Sequence, residues 1–394
     1  MAEQQQNPLE LPKNAVRLGW VSLWTDLGAE MMAPLLPMLL AGMGSSGATW
    51  IGVIEGGADG LASLLKRYSG RLSDRLPRRK PLVVAGYGLA SLVRPLMTLV
   101  TAPWHVLAIR LTDRVGKGIR TAPRDALLAD CAHKGQEGRV FGFQRSMDHA
   151  GAVGGPLVAA GLLHLGWSLP AIFALTIIPS AFAVIEAMRI EEPEAKQRTA
   201  QAATSQPLPG RLRSFVWIIG LFALGNSPDA LLLLRAKELG APAAALPLLW
   251  SGLHVVKVLS SRWGGAWADR VPKTRMVLSG WMVYALCYLA FAQVADLHLL
   301  VGIFAFYGLY HGLCEPAEKA LVKELVPAEL RGQAYGAYHF ATGIAALPAG
   351  LLAGWLWQHY GAPAALGFGA AVAAAASALL VVWQRADRPQ SAQL

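Results

Sequence analysis

Long apolar stretches alternate with short polar, mostly basic segments along nearly the whole chain. A helix needs about 20 apolar residues to cross a bilayer core. The alternation predicts six spans at 17–43, 47–69, 81–101, 103–128, 139–163 and 168–188. It predicts six more at 214–237, 243–266, 276–296, 298–322, 333–357 and 363–385. Between the two groups lies the one long polar stretch, Glu191–Ser214. Its Glu191, Glu192, Glu194, Lys196 and Arg198 are followed by Pro207, Pro209 and Gly210, the composition of a linker. The pattern therefore predicts an all-α membrane protein with 12 transmembrane helices. An N-terminal six-helix bundle (1–188) and a C-terminal one (214–394) are joined by a linker at 189–213.

A repeat supports the division. Gly70-Arg-Leu-Ser-Asp74-Arg75-Leu-Pro77-Arg78-Arg79-Lys80 closes the second span. Gly265-Ala-Trp-Ala-Asp269-Arg270-Val-Pro272-Lys273-Thr274-Arg275 closes the eighth, 195 residues later and without a gap. A duplicated loop at matched places implies two pseudo-symmetric halves, an arrangement used by transporters.

Composition changes the picture by exclusion. Of 394 residues, 54% are hydrophobic and 15% charged, too apolar for a soluble globule or a disordered chain. Cys131, Cys287 and Cys314 form no disulfide framework and have no metal-ligand spacing, so no metal or other cofactor is expected. The net charge of +10 falls between the spans rather than on a separate domain. The positive-inside rule accounts for it better than nucleic-acid binding does. Arg71, Arg75, Arg78, Arg79 and Lys80 crowd the loop after the second span, while Gly42–Thr49 and Thr101–Trp104 carry no Lys or Arg. Loop 2–3 and both termini are therefore expected in the cytoplasm, with Arg235 and Lys237 as the main exceptions. The first apolar stretch is long enough to span and is not a cleavable signal.

Gly70 to Lys80 resembles the loop 2–3 signature of the major facilitator superfamily, and Gly265 to Arg275 is similar to its weaker second-half copy. In the fifth span, Gly142, Gly151, Gly155 and Pro156 are spaced as in the family's antiporter motif, which here ends in Ala159-Ala160. Leu107-Ala-Ile-Arg110 resembles the start of the fourth-span motif but continues with Asp113-Arg114-Val-Gly116-Lys117-Gly118. The run through Asp125 looks like a subgroup of uncharacterised bacterial members. The resemblance covers essentially the whole chain. It implies the superfamily's twelve-helix fold and a bacterial drug or small-molecule:proton antiporter. By the same resemblance, Gly70, Asp74, Arg75, Arg79, Gly265, Asp269 and Arg270 form a latch that closes the cytoplasmic side. Physically, Gly70 permits close helix approach, Asp74 can face a helix N-terminus, and Arg75 with the fourth-span arginines can make charge-assisted bonds. Gly151, Gly155 and Pro156 either seal the path against leak or are packing residues.

Charges inside spans are costly and mark function by default. Asp26 and Glu30, and likewise Glu55 and Asp59, are four residues apart and share a helical face. Paired carboxylates disfavour joint ionisation, which suits proton exchange. Glu55 and Asp59 can equally be a solvated rim. His254 stands 195 residues after Asp59, and Lys257 follows it by one turn. Arg94, Asp148 beside His149, Asp229 after Gly225-Asn-Ser-Pro228 (a break in the seventh span), and Glu315 beside Pro316 are pathway or ion-pair residues. Arg110, Arg114 and Lys117 lie on one stripe that meets an anionic substrate or pairs with Asp113, Asp125 and Asp74. Gly116-Lys117-Gly118 is no phosphate loop, and no nucleophile–base pair is recognisable, so the chain is not expected to be an enzyme.

Together these features predict a monomeric secondary transporter of the bacterial inner membrane that exports a small molecule against protons by alternating access. One alternative is a metal-ion or metal-chelate exporter using Asp26, Glu30, Asp59 and His254. Another is a non-transporting membrane sensor with the same fold.

Overall fold

The computed structural model describes residues 10–43, 47–192, 206–242 and 245–386. Among the described residues there are helices and no strands. The first span is helix Lys13–Met32, a 3-10 turn Ala33–Leu35 and helix Leu36–Gly42. The second is Gly47–Arg75, the third Lys80–Val93 with a 3-10 continuation Arg94–Leu99, and the fourth Pro103–Cys131. The fifth is Glu137–His164, and the sixth is Leu169–Leu175 with Ile177–Met188. The seventh is Gly210–Gly225 with Ala230–Glu238, the eighth Leu246–Ala268 and the ninth Lys273–Gln293. Leu297–Glu324, Arg331–Tyr360 and Ala362–Arg385 complete the twelve.

Prolines set the interruptions. Pro lacks an N–H and restricts the residue before it. Pro34, Pro95 and Pro228 accompany the breaks in the first, third and seventh spans, and Pro179 frees the Leu175 carbonyl where the sixth helix is interrupted. Several helices outrun their apolar cores, the second reaching Arg75 and the fourth Cys131. Their polar last turns lie where water or the opposite half can satisfy them.

Seven spans are long and apolar enough to cross a membrane on length and composition alone. The remaining five are the first, second, fourth, fifth and eighth, which carry Asp26, Asp59, Arg110, Asp148 and Lys257. They pack mainly against other helices, the first on the fifth and the second on the fourth. The two six-helix bundles meet along two seams. The second helix packs on the eleventh, and the eighth on the fifth.

The seams need bare backbone. A Cβ on Gly70 would fall within the Gly332 carbonyl group. One on Gly265 would collide with the Gly138 carbonyl and lie 2.7 Å from Gly142 Cα. Inside the N-terminal bundle the third and fourth helices touch in the same way. A Cβ on Gly116 would lie 2.6 Å from the Gly86 carbonyl oxygen. Overpacking of this kind costs about 1–3 kcal/mol. Gly116→Ala should therefore lower the thermal unfolding midpoint of the detergent-solubilised protein. Gly88→Ala, with nothing within 4 Å of the added carbon, should leave it unchanged or slightly raised, because alanine is the better helix former.

Candidate functional site

At the basic end of the bundle, the two repeated loops meet helices of the opposite half. Asp74 receives the Gly332 N–H at 2.9 Å on Oδ1 and the Gln333 N–H at 2.6 Å on Oδ2. These are unpaired donors at the start of the eleventh helix. Asp269 receives the Gly138 N–H at 2.6 Å and the Arg139 N–H at 2.9 Å at the start of the fifth. Each carboxylate thus caps a helix of the other bundle, where the helix dipole favours negative charge by about 0.3–2 kcal/mol. Burial pushes the Asp269 carboxyl above the ordinary carboxylate range, against the pull of its two backbone donors.

Arg79 is the arginine that completes the first cap. It is fully buried, donates to Asp74 at 2.7 Å, and pairs with Asp130. Asp130 also takes Arg331 at 2.6 Å. Arg75, expected to make charge-assisted bonds, is exposed and makes no hydrogen bond or ion pair among the described residues; the arginine on Asp74 is Arg79. Arg75 follows Asp74 directly and points about 100° away around the helix, whereas Arg79 lies beyond the Pro77 turn and folds back. Arg270 is likewise exposed. The position equivalent to Arg79 is Thr274, and beside the second cap Lys323 pairs with Glu137 at 2.9 Å and Lys273 with Glu324 at 2.6 Å.

Deeper in the N-terminal bundle, Gly151 and Gly155 lie directly on the first helix. Added carbons there would sit 2.8 Å from Leu27 N and 2.7 Å from Leu27 O, and 3.0 and 2.8 Å from the Cβ atoms of Asp26 and Glu30. The fifth helix runs on through Pro156. Asp26 faces Asp148 of the fifth helix at hydrogen-bond range, and Lys117, Arg114, Arg110 and Arg94 are the cations acting on Glu30. Arg110 is buried. Arg94 donates to Asp113 at 2.8 Å and to the Thr25 carbonyl at 2.7 Å. Asp59 is exposed and pairs with Arg114 at 3.0 Å. The Glu55 side chain lies outside the described residues.

In the C-terminal bundle, Asp229 pairs with Lys257 at 2.9 Å and accepts from the Tyr307 hydroxyl at 2.7 Å. His254 is buried, and its ring lies 5.4 Å from that of His149 across the seam. Glu315 accepts from Arg145 and contacts His311 at 3.1 Å, and Arg145 also donates to Asp148 at 2.7 Å. Among the described residues no three His, Cys, Asp or Glu side chains are arranged to hold a metal ion. Asp59 and His254, at duplicated positions, stand in different halves and different surroundings.

A cavity of about 220 Å³ opens between the fifth, seventh, tenth and eleventh helices, just inside the closed basic end. Arg145, Phe222, Tyr310, Glu318, Lys319 and Tyr338 are on its wall. Lys319 pairs with Asp125 at 2.9 Å.

This architecture has relatives. A family model described as Major Facilitator Superfamily matches residues 18–234 and 227–394. The chain belongs to that superfamily. It is 30% identical over 368 residues to an uncharacterised MFS-type transporter of Methanocaldococcus jannaschii, spanning 91% of this chain and 92% of that one. It is 23% identical over 300 residues to the multidrug resistance protein MdtH of Photorhabdus laumondii, spanning 73% of each. The human organic anion transporter MFSD10 shares its fold, with a TM-score of 0.76 at 16% identity over 93% of this chain and 99% of that one. The protein is accordingly a multi-pass membrane transporter and not an enzyme.

Sequence reasoning missed Asp130, Arg145, Glu318, Lys319, Arg331, Tyr338 and His339. One signal was present. Gly138-x-x-x-Gly142 and Gly332-x-x-x-Gly336 repeat at an offset of 194, nearly that of the loop repeat, and mark the helix starts that the two aspartates cap. If these caps hold the basic end of this superfamily member shut, Asp74→Asn with Asp269→Asn should expose the cavity. In a background with its three cysteines replaced, a Thr342→Cys probe should react with a membrane-impermeant maleimide roughly fivefold faster, the population shift that about 1 kcal/mol provides.

Proposed function

We propose that the protein is a proton-coupled exporter of small molecules, held here with its cytoplasmic end closed. The bundles 1–188 and 214–394 rock about a central site, with 189–213 as the linker between them. The packing of the fifth helix on the first carries this reading. Gly151 and Gly155 leave no room for a side chain between that helix and the turns bearing Asp26 and Glu30, and the Asp26 and Asp148 carboxyls act directly on one another. Two carboxyls face to face disfavour joint ionisation and can hold one exchangeable proton between them. Tight glycine packing beside them keeps the proton path narrow.

The latch residues act at the other level. Asp74, Arg79 and Asp269 seat on the opposite half when the cytoplasmic end is shut, and Gly70 and Gly265 let the seams close. Release of both caps would open the path from the cytoplasm to the cavity. The basic loops favour a cytoplasmic location for that end and for both termini, in the inner membrane of a bacterium. Likeness to a relative named as a multidrug resistance protein favours export and drug-like cargo. Because both caps and the cavity are complete within one chain, a monomer suffices.

The test is flux into proteoliposomes of purified protein under an imposed pH gradient, with a panel of dyes and drugs including ethidium and norfloxacin. Cargo movement with proton countermovement is expected. Asp26→Asn should remove the countermovement, while Asp59→Asn, at an exposed pair, should change flux by no more than about twofold. Cargo movement indifferent to the pH gradient would reject proton coupling.

A further inference from the structure

The cavity contains one carboxylate that the ion-pair network leaves over. Glu318 is buried and accepts hydrogen bonds from the Tyr338 hydroxyl at 2.7 Å and the Trp281 indole N–H at 3.2 Å. Both donors are neutral. Among the described residues no cationic side chain pairs with it within 4.0 Å. The other charges around the cavity are matched. Arg145 is held by Glu315 and Asp148. Lys319 and Arg124 are held by Asp125, each at 2.9 Å, and His339 also contacts Asp125 at 2.8 Å. Arg124, Arg145 and Lys319 are thus engaged by Asp125, Asp148 and Glu315, and Glu318 is left to its neutral donors.

An unpaired buried carboxylate is expensive: it either takes up a proton or meets a cation from outside the chain. The surroundings select which cation. Phe222, Tyr310 and Tyr338 present rings to the same space, with Phe222 and Tyr310 centroids 5.8 Å apart. Aromatic faces attract cations, and more strongly where water is excluded. At about 220 Å³ the cavity is smaller than the roughly 300–1,000 Å³ of sites for drug-sized ligands.

We infer that this cavity binds a small organic monocation, an amine or quaternary ammonium with an aromatic or apolar body, with its charge against Glu318. Recognition of the neutral body falls to the rings, and selection for positive charge falls to Glu318. The inference rests on the transporter reading only for the step of carrying the ligand across. Binding itself is independent of it.

The experiment is calorimetric titration of the purified full-length protein in detergent, without any gradient, with benzyltrimethylammonium, benzyl alcohol and benzoate. The cation should bind more tightly than either of the others. Glu318→Gln keeps an acceptor for Tyr338, and its thermal unfolding reports whether it folds. It should weaken cation binding about tenfold or more, equivalent to about 1.4 kcal/mol, and leave the neutral alcohol nearly unchanged. Benzoate binding more tightly than the cation, no binding of the cation, or equal cation affinity in the variant would each overturn the inference. The wild-type comparison decides by itself if the variant does not fold. Proton countermovement with some other cargo would leave the exporter reading standing after such a failure.

Discussion

The closed end of this molecule depends on carboxylates seated on free backbone N–H groups of the opposite half. A helix start leaves donors without partners, and at a membrane edge those donors need either water or an anion. Asp74 supplies the anion for the eleventh helix and Asp269 for the fifth. Neither contact is possible unless the backbones approach to within a carbon atom's radius of collision, which is why glycines stand at 70, 138, 265 and 332. Close packing and charge therefore serve a single closure. Drawing the seams apart removes the anions from both helix starts at once and returns the donors to water, so the contact can be made and broken without leaving a buried orphan.

The same accounting orders the charges in the membrane. Unpaired charge is costly in hydrocarbon, and several cations between the helices have a named carboxylate: Arg94 with Asp113, Lys257 with Asp229, Arg145 with Glu315 and Asp148, and Lys319 with Asp125. These pairs fix helices relative to one another within a half or across the seam. Function is then sought where the pairing does not close. It does not close at Asp26, whose carboxyl faces the Arg145-bound Asp148, or at Glu318, where only neutral donors reach the carboxylate.

The twelve spans and the two halves were legible because hydrophobic length and a gapless duplicated loop survive in the linear sequence. The seventh-span break was legible too, since Asn226-Ser-Pro228 removes a donor and restricts the residue before it. Pairing was legible only where it is local. Asp26 and Glu30 share a face by spacing alone, but Asp148 reaches Asp26 from a helix more than a hundred residues away. Arg75 and Arg79 are both latch candidates by sequence, yet Arg75, next to Asp74 on the helix, is turned away from it. Only the turn at Pro77 brings Arg79 inward. Glu318 carried no signal, because a lone glutamate near a helix end has the same pattern whether its partners are lysines or a tyrosine and a tryptophan.

The two caps are copies in sequence but not in energy. In the first, Arg79 binds Asp74 and Asp130, and Arg331 binds Asp130 as well. The cap is tied into a chain of charge-assisted bonds, each worth about 1.5–3 kcal/mol when well made. In the second, threonine stands where Arg79 would be, so Asp269 rests on backbone donors, and the neighbouring pairs Lys323–Glu137 and Lys273–Glu324 do not touch it. Burial acts on Asp269 with the more distant Lys273, rather than an arginine, to oppose it. Pseudo-symmetry thus gives the molecule two matched docking points, and divergence at position 79 against 274 makes one of them a clamp and the other a seat. The seat lies on the seam of the fifth and eighth helices, which also carries His149 and His254 and borders the first helix with Asp26 and Glu30.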